Sequence, residues 1–212
     1  MAIASELATI TASMADKPEA VAIHHLRNLR DAGLISKSGR GPSAAQMEIK
    51  DAALLLLAMA GTERLKDSVV TATTLGNLRA ESFKQIWQRK QYRTRRAIFP
   101  LGEKHTLLEF LGCAFASSAI ELGIRVEDQD ASDLIYLIRS LQRTYPKPAR
   151  FSFDILYPIF GAILEIEIPN LVRETWYFGR PSRKAGKEGE FTRSCRFGSP
   201  TLDEINKVLS QP

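Results

Sequence analysis

An unbroken apolar run, AALLLLAMAG at 52–61, is the feature that most constrains the fold of this chain. A segment that is apolar on every side is normally buried, but these residues are far fewer than the roughly 20 that cross a bilayer. The run therefore predicts a buried helix over about 50–60 that ends at Gly61. The chain has 212 residues, of which 44% are hydrophobic and 25% charged, so it is long enough to bury a sizeable core.

Two amphipathic helices are predicted ahead of this run. Over residues 2–14, apolar side chains recur at helical spacing, at Ile3, Leu7, Ile10 and Met14. A second helix is expected from about Pro18 to Ala32, because proline is typical of a first helical turn. We expect Asp16 to cap its start and Gly33 to cap its end.

The second helix has two chemically different faces. At about 100° per residue, one side is aliphatic and is expected to face the core: Ala22, Ile23, Leu26 and Leu29. The other side is polar and mostly basic: Lys17, Ala20, His24, Arg27, Asn28 and Asp31. The second face is the candidate interaction surface of the chain.

The polar face carries side chains that can read DNA. Arg27 can bond O6 and N7 of a guanine, Asn28 can bond N6 and N7 of an adenine, and His24 lies beside them. Lys17, near the start of the helix, is expected to meet a phosphate. Asp31 would repel phosphate and favours the alternative, an ordinary solvated helix followed by a loop. We favour DNA binding because the cap, the periodicity, the glycine stop and the basic turn that follows all agree.

The residues after this helix have the pattern of a basic hairpin. Leu34 and Ile35 are expected to start a strand, 38–41 is a glycine-rich turn, and 44–49 is expected to return as a second strand. Within this hairpin, Lys37 and Arg40 are expected to contact the DNA backbone or the minor groove. The order of polar helix, GLI and basic hairpin predicts a winged helix.

Two stretches resemble known groups of proteins. EAVAIHHLRNLRDAGLISKSGRG resembles the recognition helix and wing of winged-helix transcription regulators. GRGPSAAQMEIKDAALLLLAMAG is similar to uncharacterised phage-related or mobile-element proteins of proteobacteria. The first resemblance implies DNA binding through five residues: His24, Arg27, Asn28, Lys37 and Arg40. Since no helix is expected ahead of Ile3, a three-helix unit would have to include the helix at 50–60.

The most basic stretch, at 84–96, is a second candidate DNA contact. If it is helical, Phe83, Ile86 and Trp87 face inward and the cations face outward. Outward-facing Arg89, Lys90 and Arg93 are then expected to contact phosphates, and aromatic side chains in the stretch are available to stack on bases. The alternative, which is stronger here, is a solvated basic face.

The remaining elements predict an α+β protein. Helices are expected at 66–79, 104–122 and 130–143, followed by strands at 151–156, 162–168, 171–178 and 190–197 and a last helix at 201–209. The fold class is therefore an N-terminal winged helix-turn-helix with additional helices, then a small antiparallel sheet and a C-terminal helix. We divide the chain into a winged helix-turn-helix at 1–60, a helical region at 61–145 and an antiparallel sheet with a terminal helix at 146–212.

Little in the sequence points to catalysis, a cofactor or a metal. Cys113 and Cys195 form no CxxC pair, and His24 and His25 are adjacent, so on a helix they point in different directions. Cys113 is expected to be a buried structural thiol. Neighbouring arginines could lower the pKa of Cys195, but the sequence indicates no residue to act as its general base. We predict a protein that is not an enzyme and has no catalytic residues, no cofactor and no metal.

These observations predict a cytoplasmic protein that binds double-stranded DNA sequence-specifically. The net charge of +5 favours an anionic partner, and no signal peptide or membrane span is expected. A bacterial or phage transcription regulator is preferred, acting as a homodimer because one recognition helix reads few base pairs. The C-terminal part would serve dimerisation or a protein partner. The alternatives are a phage DNA-packaging or recombination accessory protein and a protein-interaction module without DNA contact.

Overall fold

The computed structural model describes residues 4–36, 47–87, 104–121, 150–157, 161–168, 172–179 and 193–210, and these form an α+β fold, as predicted. Within them the helices are α1 (Ala4–Met14), α2 (Glu19–Asp31), α3 (Ile49–Gly61), α4 (Ser68–Gly76), α5 (Leu107–Glu121) and α6 (Ser199–Leu209). A 3-10 turn at Leu65–Asp67 leads into α4. The strands are β1 (Ala80–Trp87), β2 (Arg150–Tyr157), β3 (Gly161–Ile168), β4 (Val172–Phe178) and β5 (Arg193–Gly198). The helix predicted at 130–143 lies outside the described residues.

The central helix of the described part is α3, which contains the apolar run. Of its 13 residues, ten are buried, including Leu55, Leu57 and Met59. It packs against α1, α2, α4 and α5 and also contacts β2 and β5. The prediction of a buried helix is confirmed, because a helix that is apolar on all sides needs neighbours on all sides.

The strands form one antiparallel sheet in the order β1-β4-β3-β2-β5. Three of them, β2, β3 and β4, are consecutive along the chain, and alternation of buried and less buried side chains runs along each. The inner face carries Phe153, Leu164 and Trp176 against the helices. On the outer face Arg196 bonds Asp154 through two contacts of 2.6 Å. The strands predicted between 151 and 197 are confirmed within the described residues.

The helical arrangement considered for 84–96 does not form over the described residues 84–87, because they belong to strand β1. β1 pairs antiparallel with β4, with Phe83 opposite Trp176 and Gln85 opposite Glu174. The Phe83 and Trp176 rings stack with their centroids 4.7 Å apart. Ile86, expected to face inward, is 51% exposed. Sequence spacing at these positions suits a helix, but pairing with β4 packs half-buried Phe83 against the core and satisfies the backbone as a strand.

Most buried hydrophobic side chains of the described residues belong to one continuous cluster. It contains Leu7 from α1, Leu55 from α3, Phe110 from α5 and Ile205 from α6, together with the inner face of the sheet. Residues from 1–60, 61–145 and 146–212 all contribute. β1, within the stretch expected to be helical, joins the sheet formed by the last third of the chain.

A test of the junction between the sheet and α6 uses Gly198. A methyl group at this position would lie 2.6 Å from the carbonyl oxygen of Phe151, a backbone atom of the neighbouring strand β2. Gly198→Ala is expected to lower the free energy of unfolding by about 1–3 kcal/mol, because the strand must shift to relieve the overlap. Urea denaturation measures this change.

The matched control for this test is Gly112→Ala in α5. A methyl group there meets nothing within 4 Å. Since alanine favours a helix over glycine by about 1 kcal/mol, the control is expected to be neutral or mildly stabilising. An equal loss of stability in the two variants would contradict the close approach at Gly198.

Candidate nucleic-acid interface

The start of α2 is defined by its backbone rather than by a side-chain cap. Pro18 is the N-cap residue, and no side chain makes a capping hydrogen bond there. Asp16, predicted to be the cap, instead has φ of 50°. The prediction was wrong because Asp16 adopts the left-handed conformation that asparagine and aspartate tolerate at the end of a preceding helix.

The end of α2 is a Schellman motif, which explains the sequence AGLI. Gly33 has φ of 72°, and its N–H donates to the Arg30 carbonyl. The Leu34 N–H donates to the Leu29 carbonyl. The prediction that Gly33 caps the end of this helix is confirmed, because glycine adopts the left-handed conformation without steric cost.

The inner face of α2 differs from its prediction at one position, where His25 is buried in place of Ile23. Ala22, Leu26 and Leu29 are buried as expected, but Ile23 is 36% exposed and His25 is fully buried. Ile23 and His25 lie at opposite edges of the buried arc. The exchange occurs because α4 offers His25 a hydrogen-bonding partner, which an aliphatic side chain cannot use.

A buried polar cluster connects α2 to the start of α4. His25 Nδ1 lies 2.8 Å from the Ser68 hydroxyl, which donates to the Leu65 carbonyl. The Asn28 amide nitrogen donates to the same carbonyl at 2.6 Å and to the Ser68 oxygen at 3.3 Å. Because the Ser68 proton is directed to Leu65, the arrangement favours His25 with its proton on Nδ1. The cluster holds α2 in one orientation relative to α4.

Two side chains predicted to contact DNA make contacts within the fold. The Asn28 amide nitrogen is engaged by the cluster, so a two-bond contact with adenine would have to displace it. The Lys17 ammonium donates to the Met59 carbonyl in the last turn of α3, where a cation is favoured by the helix dipole. These contacts give both residues a role in positioning α2 against its neighbours.

The exposed stripe of α2 contains the other two candidates on this helix. His24 and Arg27 are both exposed and lie three residues apart, so they are neighbours on the helix surface. Exposed Glu19 and Asp31 lie near the two ends of the same helix. The stripe therefore has its cation in the middle and a carboxylate toward each end.

Asp51 connects the residues on either side of the basic segment at 37–46. Its Oδ1 accepts from the Ser36 N–H at 3.2 Å, and its Oδ2 accepts from the Glu48 N–H at 3.0 Å. Asp51 is buried, and together with Glu48 it forms the capping box that starts α3. Ser36 and Glu48 are thereby held close to one another and to the start of α3.

The described residues around the basic segment contain no strand, although strands were predicted on both sides of its turn. Leu34 and Ile35 form bends after the Schellman motif, and Ile49 already belongs to α3. The strand prediction is wrong at these positions because helix-ending and helix-starting hydrogen bonds occupy the backbone. The remaining candidates lie outside the described residues: Lys37, Arg40, Arg89, Lys90 and Arg93.

The described ranges also contain the His25–Ser68 pair and two cysteines. The His25 and Ser68 side chains are both completely buried, so no substrate reaches the hydroxyl. Burial raises the pKa of Cys113, whose thiol is buried as predicted. Burial also raises the pKa of Cys195, contrary to the expected lowering, since Arg196 is on the opposite face of β5 with Asp154.

Across 4–36, 47–87 and the shorter described ranges, no group of three His, Cys, Asp or Glu side chains is arranged to hold a metal. None of the described helices is long and apolar enough to span a membrane. No protein-family model, no curated protein and no solved structure matches the chain.

Proposed function

We propose that the protein binds double-stranded DNA through the exposed stripe of α2 and the basic segment at 37–46. The observation that carries this proposal is the pair of hydrogen bonds from Ser36 and Glu48 to Asp51. They hold Ser36 and Glu48, which lie on either side of the segment in sequence, close to one another a few residues after the end of α2. Ser36, the residue before Lys37 in the sequence, therefore lies a few residues after the helix that presents His24 and Arg27.

In this proposal the two parts have different tasks. Arg27 bonds a guanine edge in the major groove, and His24 contacts a neighbouring base. Lys37 and Arg40 bind phosphates and supply the affinity that does not depend on sequence. Glu19 and Asp31 repel phosphates at both ends of α2. Binding therefore depends on the cations Lys37 and Arg40 and weakens steeply as the salt concentration rises.

We further propose that the protein acts as a dimer and regulates transcription in a bacterium or phage. A single α2 stripe covers only a few base pairs, so two copies are needed to define a site. The fixed orientation of α2 supports a role in reading DNA, because the cluster of His25, Asn28 and Ser68 holds this helix against α4. The helices and sheet outside 1–60 are then available for dimerisation.

Arg27→Ala tests the proposal directly. Preferred sites are first selected from a pool of random duplexes, and affinity is then measured by fluorescence anisotropy across a series of salt concentrations. The variant is expected to bind the preferred site about 5- to 150-fold more weakly, because one two-bond contact with guanine is worth about 1–3 kcal/mol. Its affinity for unrelated duplexes at low salt is expected to fall by less.

Lys207→Ala is the matched control. Lys207 is an exposed cation on α6 that pairs with Glu204 at 2.5 Å, so the variant removes the same charge from a different helix. It is expected to keep the preference for the selected site. Equal losses in both variants would mean that only net charge matters, and absence of binding to any duplex at low salt would overturn the proposal.

A further inference from the structure

The exposed stripe of α2 includes an apolar patch that the polar pattern of the sequence does not predict. Ala20 is exposed, and Ile23 is 36% exposed although isoleucine is usually buried. At about 100° per residue, both lie within an arc of about 100° that also contains His24 and Arg27. The patch is therefore directly beside the one cation in the middle of the stripe.

We propose that Ile23 and Ala20 contact the 5-methyl group of thymine in the DNA major groove. This inference rests on the proposed function, because it assigns the base read by the same helix. Thymine carries the only methyl group on the major-groove edges of the four bases, and apolar side chains recognise it by contact. Phosphates offer no such partner, and the methyl group is present on only one of the four bases, so an apolar patch beside Arg27 that contacts it adds base preference rather than general affinity.

The helix geometry also sets the distance between the two preferred bases. Ile23 and Arg27 are four residues apart, which is about 6 Å along the helix axis. Base pairs stack about 3.4 Å apart, so on a helix inclined to the DNA axis this displacement spans at most about two base pairs. The selected sites are therefore expected to contain a thymine within about two base pairs of a guanine.

Replacing that thymine with deoxyuridine tests the contact by removing only the methyl group. The wild-type protein is expected to bind the deoxyuridine duplex about three- to fivefold more weakly, the effect of one apolar group left without a contact. Ile23→Ser is expected to bind both duplexes equally. Ile23→Val retains a branched apolar side chain and is expected to keep the discrimination.

Val70→Ser is the matched control, because Val70 is a β-branched side chain that is 62% exposed on α4. It is expected to discriminate between the duplexes like the wild type. If the wild type binds DNA but ignores the methyl group, or if Ile23→Ser discriminates as well as the wild type, the inference is wrong and the proposed function stands. If no duplex is bound at low salt, both fail together.

Discussion

Trp176→Ala is expected to lower the free energy of unfolding by about 3–5 kcal/mol, the range for removing a large aromatic side chain from a core. Trp176 is 1% exposed and is among the largest fully buried side chains of the described residues. Its ring stacks on Phe83 at 4.7 Å and contacts Phe110 at 5.1 Å. The substitution thus opens a cavity where β1, β4 and α5 meet.

A second loss in Trp176→Ala is polar. The indole N–H donates to Glu174 Oε2 at 3.3 Å, and the other carboxylate oxygen accepts from Gln85 at 2.5 Å. Glu174 is buried, so its carboxylate has no bulk water to replace the indole donor. Trp176→Phe keeps most of the ring contacts and loses this donor, so it is expected to cost about 1–3 kcal/mol.

Thermal and urea unfolding of these variants measure both contributions. Tyr177→Ala is the matched control, because Tyr177 is the next residue on β4 and lies on the outer, half-exposed face. It is expected to cost clearly less than Trp176→Ala. Equal costs for the two alanine variants would contradict the assignment of the inner face of the sheet to the core.

A loss of stability on acidification is the second large effect that we expect, and it comes from His25. Burial, with smaller contributions from the charges of Lys17 and His24, lowers the pKa of His25 from 6.5 to about 4 in the folded protein. The unfolded chain therefore binds a proton more readily than the folded one between these values. Folding loses stability as the pH falls through this window, by about 3 kcal/mol at pH 4.

The geometry explains why protonation is unfavourable. His25 Nε2 is buried without a hydrogen-bonding partner among the described residues, and Nδ1 faces the Ser68 hydroxyl. A protonated ring would place a second N–H in a site that offers it no acceptor. Above pH 6.5 both folded and unfolded states hold a neutral ring, and this contribution to pH dependence vanishes.

Urea unfolding at a series of pH values from 7 to 4 checks this prediction. His25→Gln cannot titrate and is expected to be less stable at pH 7 but to lose less on acidification. His24→Gln removes the exposed neighbouring imidazole and is expected to retain most of the wild-type loss. A wild-type curve parallel to that of His25→Gln would show that His25 is not the titrating group.

Most helices and four of the five described strands could be predicted because their patterns are local. Gly33 ends α2 through its own backbone conformation, and the apolar run of α3 needs burial whatever surrounds it. Along β3 the alternation of side chains follows from the two-residue period of a strand. Patterns of this kind depend on a few neighbouring residues, so they can be recognised in the sequence without knowledge of the fold.

The candidate site was predicted less completely because hydrogen-bonding partners far along the chain decide which of its side chains are free to contact DNA. Spacing places Asn28 and Lys17 near the polar stripe, but acceptors at Leu65 and Met59 engage them. Likewise, nothing near His25 in sequence indicates that Ser68 makes its burial favourable. The one feature of the sequence that indicated the exposure of Ile23 was its position at the edge of the predicted aliphatic arc.

The sequence by itself determined that α2 is an amphipathic helix with a defined end, that α3 is buried, and that an antiparallel sheet forms in the last third of the chain. These follow from periodicity and from glycine and proline chemistry, which act within a few residues. Only the tertiary structure decided that β1 is a strand, that His25 rather than Ile23 faces the core, and that Asp51 joins Ser36 to Glu48. Burial of a side chain and pairing of a strand depend on which distant residues supply contacts and hydrogen bonds, and these are set by the fold as a whole.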